Sequence, residues 1–301
     1  MYQICLLLGV SRQRFFNNRY QNSLINKLVA LLFLFLGIVM DKSESFSLTV
    51  SIITPVFNSE KYLLDTITSV QEQTYPNWEM LITDDCSTDG SIELIQKIAD
   101  KDARIKLLKL DTNSGSGVAR NTSIEASTGD VIAFIDSDDL WDSDFLEKSL
   151  SFMEKKKAGI VFSSYRRFSE NLEESLGEFV VPEYTDYSMM LKSCAISCLT
   201  GMYHVERCGG KVYLPKIRKR QDYCIWLALL KHVDKAYGIK DVLATYRVRS
   251  NSVSRNKFKT AQYQWRVYRD IENLSLTKSA YYFVHYATKG LVKNFGLLGR
   301  A

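Results

Sequence analysis

The sequence predicts an α/β fold built on a doubly wound, mostly parallel sheet, and three observations support this. Short apolar, β-branched segments recur through residues 48–167, helical segments separate them, and acidic or small polar residues follow the strand ends. Strands that alternate with helices in this way are typical of βαβ units, whose parallel strands lie side by side. With 301 residues, the chain is long enough for one such domain and an appendage.

Each element has its own pattern. The strand segments are continuous apolar runs, which is typical of strands buried on both faces. The helical segments carry apolar residues three or four positions apart, as Leu63, Ile67 and Val70 do. We predict strands at residues 48–54, 78–83, 104–110, 130–135 and 159–167, and helices at residues 60–73, 91–99, 117–126, 145–155 and 221–232. Residues 168–220 look rich in loops, and a helical C-terminal extension is expected from residue 260.

Composition and charge narrow the class of protein. Hydrophobic residues make up 46% of the chain, which suffices for a sizeable core, and the formal net charge is only +5. This mild charge gives no reason to expect a nucleic acid partner. The six cysteines lack the spacing of a zinc site, and their scatter favours reduced thiols in a cytosolic compartment.

Residues 1–47 form a separate basic and apolar extension. Its apolar run, residues 28–40, is too short as a helix to cross the roughly 30 Å of membrane hydrocarbon. No small-residue cleavage site of a signal peptide follows the run. Two interpretations stay open: the segment lies in the surface of a membrane, or Met40 is the true start of the protein.

Polar residues follow four of the predicted strands, at the edge where an open α/β sheet binds its ligands. They are Pro55 and Asn58 after the first strand, Asp84 and Asp85 after the second, residues 113–120 with Arg120 after the third, and residues 136–139 after the fourth. So many carboxylates at one edge need a cation to neutralise them. Mg²⁺ and Mn²⁺ take oxygen ligands and commonly bind phosphates as well. The sequence therefore predicts a diphosphate held through a divalent metal.

Simpler explanations exist for two of these features. The acidic run at residues 136–139 is also what a solvated turn would show, with one of its aspartates or Asp142 capping the next helix. Its position after a buried strand favours the metal site. Gly115 and Gly117 suggest a dinucleotide fingerprint, but Arg120 occupies the position of the third glycine, which disfavours a Rossmann dehydrogenase.

Four blocks, taken in order, resemble the family 2 glycosyltransferases, which have the GT-A fold. They are residues 50–58, 84–90, 113–121 and 136–139. The match continues through residues 220–227 and 243–247, so that it covers residues 48–255, and these later blocks look most like enzymes of bacterial surface polysaccharide assembly. One departure is Gln221, which stands where many relatives carry an acid.

The resemblance implies a role for each residue of these blocks. It assigns to the nucleotide-sugar site Pro55, Asn58, Asp84, Asp85 (on the base), Arg120 and Asp136 (on the ribose), within a donor half at residues 48–145. It also implies that Asp138 and Asp139 ligate Mn²⁺ or Mg²⁺, which stabilises the departing diphosphate. Asp222, in an acceptor half at residues 146–255, would be the catalytic base. The simpler account of Asp222 is an acidic residue favoured by the helix dipole.

Basic residues lie just before Asp222 and throughout the C-terminal tail. Lys216, Arg218, Lys219 and Arg220 form either an ordinary solvated loop or a clamp for an anionic acceptor such as a polyprenyl-diphosphate-linked sugar. The tail, residues 256–301, mixes basic with large apolar residues. It suits a helix lying on an anionic membrane surface, and equally a helix packed on the catalytic domain.

We therefore expect an inverting glycosyltransferase that moves one hexose or N-acetylhexosamine from a UDP-sugar to an undecaprenyl-diphosphate-linked saccharide. The pathway would be that of bacterial O-antigen or another surface polysaccharide, at the cytoplasmic face of the inner membrane or in the cytoplasm. A processive polysaccharide synthase is disfavoured because the chain has no Gln-x-x-Arg-Trp block. A non-catalytic nucleotide-sugar-binding protein would be expected to lack Asp138 or Asp222, and both are present.

Overall fold

The computed structural model describes residues 48–249 and 257–295. The predictions about the N-terminal extension, about a start at Met40 and about the last residues of the tail concern residues outside these ranges. All other predicted elements fall within them.

The strands form one sheet. They are β1 (Val50–Val56), β2 (Trp78–Asp84), β3 (Ile105–Lys109), β4 (Val131–Phe134), β5 (Leu140–Trp141), β6 (Ile160–Ser169), β7 (Ser175–Phe179), β8 (Tyr184–Thr185), β9 (Met202–His204) and β10 (Ala236–Val248). The order along the sheet is β3-β2-β1-β4-β9-β6-β10-β5, with β7 on β6 and β8 on β10. The first four strands are mutually parallel, and β6 and β10 are parallel to each other. The predicted α/β fold with a largely parallel central sheet is confirmed.

The helices lie where the sequence predicted them, except for α5, which falls in a stretch expected to consist of loops. They are α1 (Glu60–Gln71), α2 (Ser91–Ala99), α3 (Ser116–Ala126), α4 (Phe145–Lys156), α5 (Tyr187–Lys192), α6 (Gln221–Leu229), α7 (Lys257–Arg266) and α8 (Leu276–Phe295), with a π-helical turn at Val267–Ile271. The helix α4 ends at Lys157, whose left-handed backbone (φ 49°) turns its N–H back to the carbonyls of Met153 and Glu154.

Both faces of the sheet are buried. Successive residues of β1 belong to opposite cores, Ile52 on the face covered by α1 and α4 and Ile53 on the face covered by α3 and α6. Because every residue of β1, β2 and β4 is buried, these strands read as mostly apolar runs.

The stretch at residues 168–220, expected to consist mainly of loops, also holds the short elements β7, β8, α5 and β9. These elements are too short to show a period in the sequence. The strand β9 has the largest effect because it pairs antiparallel with both β4 and β6. It thereby connects β4, one of the first four parallel strands, to β6 and the later strands of the sheet.

The C-terminal helices pack on the catalytic domain as far as residue 288, the last whose side chain is described. Gln264, Val267 and Tyr268 are fully buried, and the Tyr268 hydroxyl donates to the carbonyl of Leu191 at 2.5 Å. The sequence allowed either a helix on a membrane surface or a helix packed on the catalytic domain, and this stretch of the tail is packed on the domain. No helix in the described ranges has the length and apolar content to cross a membrane.

Glu79, near the start of β2, is a buried carboxylate at the opposite end of the strands from the predicted site. It accepts hydrogen bonds from the Ser51 hydroxyl at 2.7 Å, the Thr128 N–H at 2.6 Å and the Lys106 ammonium at 2.8 Å. Burial acts to raise the pKa of Glu79, but these donors outweigh burial and lower the pKa to about 2.

This pKa makes a pH-dependent contribution to stability. Because the pKa in the folded protein lies below the ordinary value of 4.5, the contribution is complete above pH 4.5 and is lost as the pH falls toward 2. We expect Glu79→Gln to lower the free energy of unfolding by about 2 kcal/mol at pH 7 and by clearly less at pH 3. Urea unfolding at both pH values measures this, with exposed Glu178→Gln as the control, and an equal loss at both would contradict it.

Candidate functional site

The carboxyl ends of β1, β2 and β4 and the start of α3 enclose a cavity of about 320 Å³, here called the donor cavity. Its lining includes Pro55, Phe57, Asp85, Ser116, Arg120, Asp136, Asp138 and Arg249. The structure therefore brings together four of the residues predicted for the donor and one predicted for the metal. They meet because the ends of neighbouring parallel strands share one edge of the sheet.

The other two predicted donor residues lie behind the cavity wall. Asn58 has a positive φ of 49°, and its side-chain oxygen accepts the N–H of Thr88 at 2.8 Å. Asp84 is buried at the end of β2 and accepts the N–H of Ser87 at 3.0 Å. Both side chains hold the loop after β2 in place, and neither lines the cavity.

Asp85 builds one wall of the donor cavity. One of its carboxylate oxygens accepts the N–H of Ser114 at 2.6 Å, and the other accepts the N–H of Gly115 at 2.8 Å. Gly115 has a φ of +87°, which favours glycine at this point of the loop. Each carboxylate oxygen keeps further acceptor capacity, so Asp85 is fixed in place and can still accept a hydrogen bond from a ligand.

Arg120 reaches from α3 across the cavity to pair with Asp136. Its side chain is 8% exposed, and a guanidinium this deeply buried needs a partner of opposite charge. Burial acts to lower the pKa of Arg120, but the charges of Asp136 and Asp222 outweigh it and raise the pKa. Asp222, in the first turn of α6, lines neither the donor cavity nor the cavity that contains its neighbour Gln221.

Asp138 and Asp139 are adjacent but have different surroundings. Asp138 lines the donor cavity and pairs with Arg249, from Nη1 to Oδ2 at 3.1 Å. Burial, followed by the charge of Asp136, raises the pKa of Asp138. Asp139 is only 1% exposed, lies outside the lining, and accepts the backbone N–H of Arg247 at 3.0 Å. Of the two predicted metal ligands, only Asp138 faces the cavity.

The acidic run is not a solvated turn that caps the next helix. Asp144 holds the N-cap position of α4 without a side-chain hydrogen bond to the helix, and Asp142 instead pairs with Arg166. Asp138 and Asp139 of this run instead contact Arg249 and the backbone of Arg247, at and just after the end of β10.

The donor cavity fits a hard divalent cation that takes some of its oxygen ligands from the protein and others from a diphosphate. Within the described ranges, no cluster of three or more histidine, cysteine or acidic side chains could hold a metal ion by itself. The cavity supplies the two carboxylates of Asp136 and Asp138, and the crowding of their charge is relieved by a cation. Mg²⁺ or Mn²⁺ would complete its oxygen ligands with water and phosphate.

A second cavity of about 480 Å³, here called the basic cavity, adjoins the first. Ser116 lines both cavities, and Lys216 and Arg218 line the basic one. Among the described residues, no carboxylate lines it. Gln221 contributes instead a neutral amide, whose nitrogen donates to the carbonyl of Ile217 at 2.5 Å.

Arg220, unlike Lys216 and Arg218, does not line the basic cavity. Its guanidinium donates to the side chain of Gln264 and stacks over the rings of Tyr223 and Tyr286, at 4.8 and 5.2 Å from their centroids. Arg220 therefore lies outside the basic cavity and anchors the C-terminal helices, and its contact with an acceptor stays a prediction. A planar guanidinium suits such a position between aromatic rings.

Two arginines at and just after the end of β10 contact the acidic run, although no sequence pattern pointed to them. Arg247 is 5% exposed on its side chain, and Arg249 lines the donor cavity. Residues 243–247 are part of the resemblance, but the resemblance implies no function for Arg247. Alternation along a strand places Arg247 and Arg249 on one face, but nothing local in the sequence shows that this face meets the end of β4.

The two adjacent aspartates should respond differently to truncation. Asp139→Ala leaves the buried N–H of Arg247 without an acceptor, so we expect the free energy of unfolding to fall by about 2 kcal/mol. Asp138→Ala should change the stability less and should abolish Mn²⁺-dependent binding of a nucleoside diphosphate. Urea unfolding and calorimetric titration measure the two effects. Equal destabilisation by both variants would contradict the division of roles.

Sequence comparisons relate the chain to proteins of known class. The model of the Glycosyl transferase family 2 matches residues 51–207. The putative teichuronic acid biosynthesis glycosyltransferase TuaG of Bacillus subtilis (strain 168) is 43% identical over 245 residues, which cover 81% of this chain and 96% of TuaG. The Escherichia coli enzyme WfgD, a UDP-Glc:alpha-D-GlcNAc-diphosphoundecaprenol beta-1,3-glucosyltransferase, is 35% identical over 246 residues, 81% of this chain and 94% of WfgD.

Solved structures agree on the fold. The structure of S. aureus TarS 1-349 in complex with UDP-GlcNAc aligns with a TM-score of 0.62 at 20% identity, over 84% of this chain and 76% of that one. The mannosyltransferase PcManGT from Pyrobaculum calidifontis, in complex with GDP-Man and Mn²⁺, aligns with a TM-score of 0.60 at 16% identity, over 85% and 77%. Together with the sequence matches, the architecture and the donor cavity identify the chain as a glycosyltransferase of family 2 with the GT-A fold.

Proposed function

We propose that this protein is an inverting glycosyltransferase that transfers a hexose or N-acetylhexosamine from a UDP-sugar to a saccharide carried on undecaprenyl diphosphate. The observation that carries the proposal is the pair of adjoining cavities with opposite lining charge, which share Ser116. The acidic donor cavity suits a nucleotide bound with a cation, and the basic cavity suits an anionic acceptor. The names of WfgD and TarS connect these relatives with UDP-sugars.

In the donor cavity, Asp85 accepts a hydrogen bond from the nucleotide base and Asp136 from the ribose, as the resemblance implies. Pro55 lines the cavity beside them, and Asn58 and Asp84 keep the neighbouring loop in place. Asp138 holds Mn²⁺ or Mg²⁺, which when bound neutralises the diphosphate and stabilises its departure. Asp139 acts from behind the cavity, through the backbone of β10.

On the acceptor side, Asp222 takes the proton of the attacking hydroxyl. A base positioned in this way raises the nucleophilicity of the hydroxyl as it attacks the anomeric carbon. Since one carboxylate serves this single attack, the displacement inverts the anomeric configuration. Asp222 directly follows Gln221, which lines the basic cavity, and this sequence neighbour supports its assignment to the acceptor side.

The basic cavity holds the diphosphate of the acceptor lipid. Lys216 and Arg218 are exposed in its lining, Lys219 follows in the same loop, and the neutral amide of Gln221 adds no negative charge. A lipid-linked acceptor places the protein at the cytoplasmic face of the inner membrane. The exposed Leu276, Tyr281 and Val284 on α8 suit a surface that approaches lipid.

One experiment tests the whole proposal. Purified protein is incubated with Mn²⁺, a panel of UDP-sugars and a synthetic undecaprenyl-diphosphate-linked N-acetylglucosamine, and the product linkage is identified. We expect one UDP-sugar to give a disaccharide of inverted anomeric configuration, and no product in the presence of a chelator. Transfer with retained configuration, or full activity in chelator, would refute the mechanism.

Replacement of the proposed base should separate binding from transfer. We expect Asp222→Asn to keep the dissociation constant of the UDP-sugar within about twofold and to lower kcat by roughly 10²–10⁴-fold. Calorimetry and initial rates measure the two quantities, and the exposed Asp234→Asn is the matched control. A near-normal kcat in Asp222→Asn would assign the base elsewhere.

Removal of the two cations of the basic cavity should affect the acceptor alone. We expect Lys216→Gln/Arg218→Gln to raise the KM for the lipid-linked acceptor by about tenfold, because two charge-assisted contacts to its diphosphate are lost. The KM for the UDP-sugar should not change. The double variant Lys155→Gln/Lys156→Gln, on the surface of α4, makes the same change in net charge and should leave both constants unchanged. A rise in the donor KM would move these cations to the donor site.

A further inference from the structure

Arg249 lies in the lining of the donor cavity, one residue beyond the end of β10. Its side chain is 37% exposed, and it faces the carboxylate of Asp138. The other guanidinium in the lining, that of Arg120, is buried against Asp136. Arg249 is therefore the cation of this cavity that has room to change its partner.

Arg247, two residues earlier on the same strand, provides the comparison. Its guanidinium donates at 2.9 Å to the carbonyls of Asp138 and Glu170 and to the carboxylate of Asp65. In the described part of the chain, Arg249 makes one hydrogen bond, from Nη1 to Asp138 at 3.1 Å, and a contact with the Tyr62 ring at 5.0 Å from the centroid. A single, partly exposed ion pair belongs to the weak class of such interactions. Arg247 is held in place, whereas Arg249 is exchangeable.

The charges of the cavity require such an exchange. The lining carries the carboxylates of Asp85, Asp136 and Asp138 against two guanidiniums, and a nucleoside diphosphate adds further negative charge. A divalent cation at Asp138 takes over the carboxylate that Arg249 now neutralises, and it repels the guanidinium. A diphosphate then offers the guanidinium two oxygens in the planar arrangement that arginine binds best.

We propose that Arg249 is a donor-binding residue that changes partner when the cavity fills. It pairs with Asp138 in the empty cavity and with the diphosphate of the nucleotide sugar once a divalent cation occupies Asp138. The ring of Tyr62 supports the guanidinium through a cation–π contact. The assignment rests on the proposed function, and it requires that loss of the guanidinium change two affinities in opposite directions.

The test measures both affinities in Arg249→Gln. The affinity of the nucleotide-free protein for Mn²⁺, followed by the electron paramagnetic resonance of free Mn²⁺, should rise by roughly three- to tenfold because the competing cation is gone. The affinity for UDP at saturating Mn²⁺, measured by calorimetry, should fall by roughly tenfold or more because a charge-assisted contact is lost. An unchanged affinity for Mn²⁺ or for UDP overturns the proposal.

Two further variants and the wild type complete the design. Arg266→Gln removes an exposed arginine that pairs with Asp270 outside the cavity, and it should leave both affinities unchanged. Arg249→Lys keeps the charge without the planar pair of donors. It should bind Mn²⁺ like the wild type and UDP more weakly, and it carries the test if glutamine lowers the melting temperature. A wild-type protein that binds no UDP with Mn²⁺ would instead overturn the proposed function.

Discussion

Negative charge concentrated at the end of β4 is the constraint on which the arrangement of this half of the molecule depends. Asp136, Asp138 and Asp139 lie within four residues, and burial makes an unpaired carboxylate costly. Two separate elements supply partners: Arg120 comes from α3, and the backbone of Arg247 and the side chain of Arg249 come from the end of β10 and the residue after it. Because these partners neutralise the aspartates at residues 136–139, α3 and the end of β10 both lie close to the end of β4, although β10 follows far later in the chain.

The three aspartates differ in how firmly their partners are held. Asp136 and Asp139 are satisfied by groups that are themselves buried, so these pairs contribute to the fold as well as to the site. Asp138 alone has a partly exposed partner, and its carboxylate lines the cavity. Of the three aspartates, Asp138 is therefore the one that the proposed cation could bind without breaking a buried pair. The environment of each aspartate, rather than the spacing within the run, therefore decides which of them can bind a cation.

The first half of the fold and its site could be predicted because the chemistry lies at strand ends that follow one another in sequence. Buried parallel strands read as apolar runs, so Pro55, Asp85 and Asp136 could be placed at one edge without knowledge of any distance. Residues that act across the sheet could not be predicted in this way. The position of Arg249 depends on β10 reaching the end of β4, and the position of Arg220 depends on the packing of α7 and α8, and neither contact leaves a local pattern.

Gln221 shows how one departure from the family pattern acquires a physical meaning once the cavities are known. An acid at this position would add a negative charge to a cavity lined by Lys216 and Arg218. The amide instead accepts a hydrogen bond from Ser116 at 3.3 Å and donates to Ile217, so it connects the start of α3 to the loop that carries these cations. Because Ser116 also lines the donor cavity, Gln221 links the two cavities without a charge of its own. The positive potential of the basic cavity is thereby kept for the proposed anionic acceptor, and Asp222 remains the only carboxylate at the start of α6.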